Sequence, residues 1–120
     1  MKDNDDRLIS ETIHLYFNGT YHGDSAQLQQ AFHPNARITG NVKDKNFDWS
    51  LTEFITRVTT APTSADRKEL YDKRIIFIDK TNQAAIVKAL VVVGELTFTD
   101  YITLLKRDDK WVIRNKSFTV

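Results

Sequence analysis

Apolar residues recur with two different periods along this chain, and the change of period divides it. Over the first part the spacing is helical. Leu8, Ile9, Ile13, Tyr16 and Phe17 share one face, behind a run of Asp3, Asn4, Asp5 and Asp6 that supplies caps and negative charge to a helix start. Gly19 is expected to end or loosen this helix. A second is predicted after Gly23, where Asp24 and Gln27 have the form of a capping box, Leu28, Ala31 and Phe32 line one face, and Pro34 is the stop. The period then falls to two. Ala36, Ile38, Gly40 and Val42 alternate with Arg37, Thr39 and Asn41 as a half-buried strand, and "KDKN" turns the chain into a short strand carrying Phe47 and Trp49. A cleaner capping box, Ser50-Leu-Thr-Glu53, opens a third helix with Leu51, Phe54, Ile55 and Val58, closed by Pro62.

Everything after "TSAD" reads as strand. Runs over about Lys68–Ile78, Gln83–Lys106 and Lys110–Thr119 are separated by turns at "DKTN" and "RDDK", and a bend near Gly94-Glu95 makes four antiparallel strands of the three runs. Helix, helix, hairpin, helix and then strands is an α+β order, with the helices on one face of a curled sheet. In "AAIVKALVVV" both alternating sets, Ala85/Val87/Ala89/Val91/Val93 and Ala84/Ile86/Leu90/Val92, are apolar, so both faces need cover. Helices cover the concave face. The convex face is therefore expected to pack on a second copy, around Val87, Val91 and Val93 or, in the opposite register, Ile86, Leu90 and Val92. Lys88 reads as a rim residue or a paired interior charge.

Composition narrows the partners. With 120 residues, 41% of them hydrophobic and 28% charged, the chain is expected to form one domain over residues 1–120 with a packed core. A net charge of +1 gives no pull toward nucleic acid or anionic lipid. No apolar run suggests a signal peptide or membrane span, and no cysteine is present, which suits the cytoplasm. No metal-ligand spacing, nucleophile motif or phosphate loop is visible, so neither a metal nor a cofactor is expected.

The stretches "YFNGTYHGD" and "LQQAFHPNARITG", the capped third helix and the terminal "DYITLLKRDDKWVIRNKSF" together resemble the nuclear transport factor 2-like superfamily, which includes the SnoaL-like proteins. Within it they are most similar to the bacterial group labelled "putative lumazine-binding", over about Leu8 to Phe118. The resemblance implies a cone, a strongly curved mixed or antiparallel sheet wrapped around three helices, of cystatin-like type. It also implies a pocket between sheet and helices, and a homodimer joined through the convex face of the sheet. The superfamily holds ketosteroid isomerase, scytalone dehydratase, polyketide cyclases and members that only bind or scaffold, so it supplies a pocket without a substrate.

Matched to ketosteroid isomerase, the first-helix tyrosine that donates to substrate oxygen falls on Tyr16. The first-strand aspartate base falls near Gly40, where no carboxylate stands. The late-strand protonated aspartate has its nearest counterpart in Asp100 of "TFTDYIT". Asp100 lies among Leu96, Phe98, Ile102 and Leu104, so it is either a carboxyl poised in apolar surroundings or half of an ion pair with Arg74, Lys88, Arg114 or Lys116. Tyr16 is either a core tyrosine or a pocket donor. Tyr21 and His22 are expected beyond the first helix, at a pocket mouth or on the surface. His33 is expected to bond a loop carbonyl, and His14 to be solvated. On the last strand, Trp111, Ile113, Asn115 and Ser117 alternate with Val112, Arg114, Lys116 and Phe118. Trp111's need for a core favours turning its own set, Asn115 included, inward. Tyr16 and Asp100 are thus the candidate catalytic pair, and Phe17, Phe32, Trp49, Phe54, Trp111 and Asn115 the candidate lining for a small apolar or aromatic molecule. The readings are a binding protein, an isomerase, dehydratase or cyclase working by proton transfer, and a scaffold whose cone is filled by side chains.

Overall fold

The computed structural model describes residues 4–120, so Asp3 of the expected cap run lies outside the described residues. In chain order the elements are α1 (Asn4–His22), α2 (Ser25–Ala31), β1 (Phe32–Val42), β2 (Lys45–Ser50), α3 (Leu51–Thr60), β3 (Lys73–Thr81), β4 (Ala84–Val93), β5 (Leu96–Arg107) and β6 (Lys110–Thr119). The strands form one curved, unclosed sheet in the order β2-β1-β6-β5-β4-β3. β1 runs parallel to β6 and every other pair is antiparallel. The fold is α+β, with three helices against the sheet.

The first helix does not stop at Gly19. It continues to His22, so Tyr21 and His22 belong to its last turn. Gly19 is buried where α1 and α2 meet, and a Cβ there would stand 2.7 Å from Leu28 Cγ. Its absent side chain serves close helix packing. The stop is Gly23, whose φ of +66° suits a residue without Cβ, and the Asp24 N–H then returns to the Gly19 carbonyl at 2.8 Å. Asp24 caps α2 through the Gln27 N–H, while the Gln27 side chain bonds the Asp24 carboxylate instead of its backbone. The box at Ser50 is complete: Glu53 N–H donates to Ser50 Oγ at 3.1 Å and Ser50 N–H to Glu53 Oε1 at 2.9 Å.

Phe32 opens β1 instead of ending the second helix, and Pro34 lies inside that strand. The β1–β6 register shifts between Phe32 and Arg37, which is where a residue lacking an N–H is tolerated. The strand expected from Lys68 begins only at Lys73. Residues 61–72 fold back on themselves, with Glu69 N–H on the Ser64 carbonyl at 2.9 Å, Ala65 N–H on the Tyr21 carbonyl at 3.1 Å, and Lys68 at a φ of +59° that no strand accommodates. The Tyr21 hydroxyl ties the loop to α1 by donating to the Glu69 carbonyl.

Of the two apolar faces of β4, Ala85, Val87, Ala89 and Val91 are buried under the helices. Ile86, Lys88, Leu90 and Val92 point the other way, half-buried, with the Lys88 ammonium over the Tyr101 ring. Val87 and Val91 are therefore core residues and cannot form the centre of a convex interface.

Candidate functional site

Cross-strand register decides which side chains meet on the concave face, because residues directly opposite one another point the same way. One row runs Phe47, Gly40, Phe118, Asp100, Ala89, Ile75, and the next Trp49, Ile38, Lys116, Ile102, Val87, Ile78. A third places Phe98 and Lys73 on either side of Val91. Phe47, Phe118 and Asp100 of the first row, Trp49 and Lys116 of the second and the whole of the third, with Tyr16 of α1, Phe54, Arg57 and Val58 of α3 and the start of the 61–72 loop, line a cavity of about 400 Å³. Gly40 is essential to its shape, since a Cβ there would stand 2.3 Å from the Phe118 carbonyl oxygen and 2.5 Å from its ring. The Phe118 ring takes that space and joins Trp49, at a centroid distance of 5.9 Å and an interplanar angle of 21°, and Phe47 in an aromatic wall.

Polar groups collect at one place on the wall. Tyr16, Lys73, Asp100 and Lys116 are 2%, 8%, 1% and 5% exposed, and all face the cavity. The Tyr16 hydroxyl donates to Asp100 Oδ2 at 2.5 Å and accepts from Lys116 Nζ at 2.8 Å. The Lys116 ammonium also lies 4.5 Å from the centroids of the Tyr16 and Phe54 rings and 5.4 Å from that of Phe118, so aromatic faces replace part of its hydration. Burial, reinforced by the Asp100 charge and hydrogen bond, drives the Tyr16 pKa well above the usual phenol value, so the phenol stays protonated. Burial lowers Lys116, with Asp100 opposing. Burial and then the Lys116 charge lower Lys73 to about 8, opposed by Asp100, Glu69 and Asp72. Asp100 is thus joined to Lys116 through Tyr16.

Chemically, this arrangement presents a carboxyl group, a protonated phenol and two lysine amino groups to an apolar-walled space. It can hold a flat ring against Phe47, Trp49 and Phe118 while bonding an oxygen on that ring. At the rim Arg57 lies over the Trp49 ring at 4.8 Å. Arg67 is held by Glu69, whose pKa the Arg67 and Ser64 hydrogen bonds draw down to about 2.

Of the residues singled out from sequence, Tyr16, Asp100, Trp49 and Phe54 line this cavity, and Phe17, Phe32, Trp111 and Asn115 do not. Phe17 is fully buried core, and Phe32 packs edge-on against Tyr16 one layer behind the wall. Trp111 is buried too, but its indole N–H donates to Asp5 Oδ1 at 3.0 Å and its carbonyl accepts from Thr12 at 2.9 Å. Asn115 points out of the sheet, bonding Ser117 Oγ at 3.3 Å. The cause is a bulge: Thr103 pairs with Asn115 but Leu104 with Ile113, so Arg114 is the extra residue and the inward set changes from Trp111 and Ile113 to Lys116 and Phe118. His33 sits on β1 and bonds Arg114 at 2.5 Å and the Asn35 N–H at 3.0 Å, and among the described residues it bonds no loop carbonyl. His14 is exposed, its Nδ1 2.8 Å from the Ser10 carbonyl oxygen. Lys116 and Phe118, which the sequence reading turned outward, are wall members, and Lys73, Phe47, Phe98, Arg57 and the loop residues from Ala61 to Ser64 are among the others it missed.

Residues 4–119 match the sequence profile of the family described as "Putative lumazine-binding". A curated relative, Aldolase FrzH of Cladobotryum sp., is 28% identical over 112 residues, covering 92% of this chain and 86% of that protein. Among solved structures, an NTF2-like protein of unknown function from Methylobacillus flagellatus KT is similar with a TM-score of 0.82 at 27% identity, over 99% of this chain and 94% of that one. An NTF-2 like protein of unknown function from Silicibacter pomeroyi DSS-3 gives a TM-score of 0.85 at 19% identity over 98% of both chains, a likeness of fold alone.

Proposed function

The chain belongs to the family described as "Putative lumazine-binding", on the nuclear transport factor 2-like fold, and from that premise we propose that it binds a small, flat aromatic molecule in the cavity between sheet and helices. The observation that carries this reading is the cavity itself: about 400 Å³, walled by Phe47, Trp49, Phe98 and Phe118, with the Tyr16–Asp100–Lys116 group on its wall. Such a space also weighs against a scaffold whose cone is filled by side chains. The test is calorimetric titration with lumazine, a flat bicyclic aromatic. Saturable one-to-one binding that is lost in Val93→Trp, which fills the cavity from a half-buried wall position, is the expected result. Unchanged binding in that variant would place the ligand elsewhere.

The reading includes a homodimer through the convex face of the sheet. Ile86, Leu90 and Val92 point out of that face, and Phe77, Tyr101 and Leu105 are exposed on its neighbouring strands. Among the described residues no helix is long and apolar enough to cross a membrane.

A second reading, an enzyme of isomerase, dehydratase or cyclase type, is favoured by one observation, the hydrogen-bonded chain from Lys116 through Tyr16 to Asp100. Asp100 would take a proton from carbon next to a carbonyl, and the phenol and ammonium groups would hold the oxyanion that forms. Similarity to a protein named as an aldolase fits, since aldol chemistry begins with the same proton removal. In deuterated buffer with 2-acetylnaphthalene, exchange of the methyl protons above the buffer rate, abolished in Asp100→Asn, is the expected sign of this activity. Exchange at the buffer rate refutes it.

A further inference from the structure

Lysines outnumber carboxyl groups on the buried wall of the cavity. It carries Lys73 and Lys116 against the single acid Asp100, while Glu69 and Asp72 reach Lys73 only through their charge. Lys116 is satisfied by the Tyr16 hydroxyl and three ring faces, and Asp100 accepts from Tyr16. Lys73 has neither a hydrogen bond nor an ion pair among the described residues, although it is only 8% exposed. It is fixed there by register: it opens β3 directly opposite Val91, whose side chain points inward. Tyr16 supplies no second negative charge, because its phenol is held protonated. The Nζ of Lys73 is not sealed off, and Asp100, Glu69 and Asp72 act on it through charge without bonding it, so a ligand anion in the cavity supplies a direct partner and offsets part of the desolvation of the lysine. Arg57, spread over Trp49 and in no ion pair among the described residues, adds a further positive charge to the cavity lining.

We propose that the cavity selects a monoanionic aromatic ligand, a flat ring system bearing one carboxylate or enolate, with Lys73 as its charge partner and the Trp49–Phe118 wall as the surface on which the ring lies. This rests on the small-molecule reading above and narrows it. Asp100 sets the upper limit on ligand charge, since a second negative group would face its carboxyl side.

Two probes of one shape separate the parts of this argument. 2-Naphthoate and 2-naphthamide share their rings and differ in charge, so calorimetric titration of the full chain at pH 7 reads the charge preference directly. The naphthoate is expected to bind at least about tenfold more tightly, the scale of one charge-assisted hydrogen bond in a dry site. Lys73→Met should bring the two affinities within about threefold by weakening only the anion, and Lys73→Arg, which keeps the charge, should retain the preference. Equal binding of both probes, or a preference that survives Lys73→Met, overturns the inference while leaving the ligand cavity standing. If neither probe binds, the cavity reading falls and this one with it.

Discussion

Replacing Lys73 by Met should make the ligand-free protein more stable. The methionine keeps the unbranched stem packed against Val91 and removes only the ammonium group. A lysine in the unfolded chain titrates near 10.5, whereas burial and the Lys116 charge bring Lys73 to about 8 in the fold. Below about pH 8 both states carry the proton, and the fold bears the full cost of the displaced equilibrium. Above about 10.5 both are neutral and the cost is gone. Stability therefore rises with pH across that window, because the unfolded chain binds more protons there. At about 1.4 kcal/mol for each pH unit the gap is worth about 3 kcal/mol, and residual solvation at an incompletely covered Nζ brings the expected gain to about 2–3 kcal/mol.

The assay is urea unfolding of wild type and Lys73→Met at pH 7 and pH 10. At pH 7 the variant should be the more stable by about 2–3 kcal/mol, with a higher urea midpoint and an unchanged slope. At pH 10 the difference should shrink by more than half. Lys116, lowered for the same reason, stays in both proteins and largely cancels in the comparison. A variant less stable than wild type at pH 7, or a difference that ignores pH, would show that Lys73 has a partner in solution and would remove the basis for an anionic ligand.

Two other predictions concern the frame of the cavity. Gly40→Ala puts a methyl group 2.3 Å from the Phe118 carbonyl oxygen, backbone that cannot swing aside, so a loss above about 2 kcal/mol in urea is expected, with loss of probe binding as the aromatic wall shifts. A stability within about 0.5 kcal/mol of wild type would mean that β1 and β6 part more easily than their pairing suggests. Leu90→Asp, on the convex face, should turn a dimer into a monomer in sedimentation, for an interface burying on the order of 1,200–2,000 Å². A wild-type species of 13.9 kDa at high micromolar concentration would refute the dimer.

Where local chemistry decided the structure, the sequence was readable. The box at Ser50 and Glu53, the stop at Pro62, the bend at Gly94 and the turn at Asp108-Asp109 each follow from a residue's own hydrogen-bonding or backbone preference, and each appears in the fold. Gly19 misled because its small size serves a tertiary contact with Leu28, and backbone preference alone cannot tell that use from a helix stop. The 61–72 loop misled for a related reason: its conformation is held by bonds to Tyr21 on α1 and by its own carbonyls, and nothing in "RKELYDK" signals those partners. Lys73 was hidden at the start of an alternating run, where a lysine normally marks the solvent side of a strand edge.

The last strand shows how one residue separates reading the fold from reading the site. A period of two, carried from Trp111 to Phe118 without interruption, must put Trp111 and Asn115 on one face and Lys116 and Phe118 on the other. The indole needs the core, so that logic sends Asn115 into the cavity. In the structure both Trp111 and Lys116 face inward, which strict alternation forbids, and the unpaired Arg114 supplies the odd residue that allows it. The bulge lies where β1 also loses register around Pro34, and Arg114 reaches across to His33 there, so the irregularities of the two adjoining strands support each other. Were Arg114 an ordinary ladder position, an amide would stand where Lys116 now bonds Tyr16, the Phe118 ring would leave the space above Gly40, and Lys73 would be the one lysine on the buried wall. Strand propensity is almost blind to such a bulge, because it costs one ladder position and changes no residue type. Its consequence is nevertheless that Lys116 and Phe118 belong to the cavity.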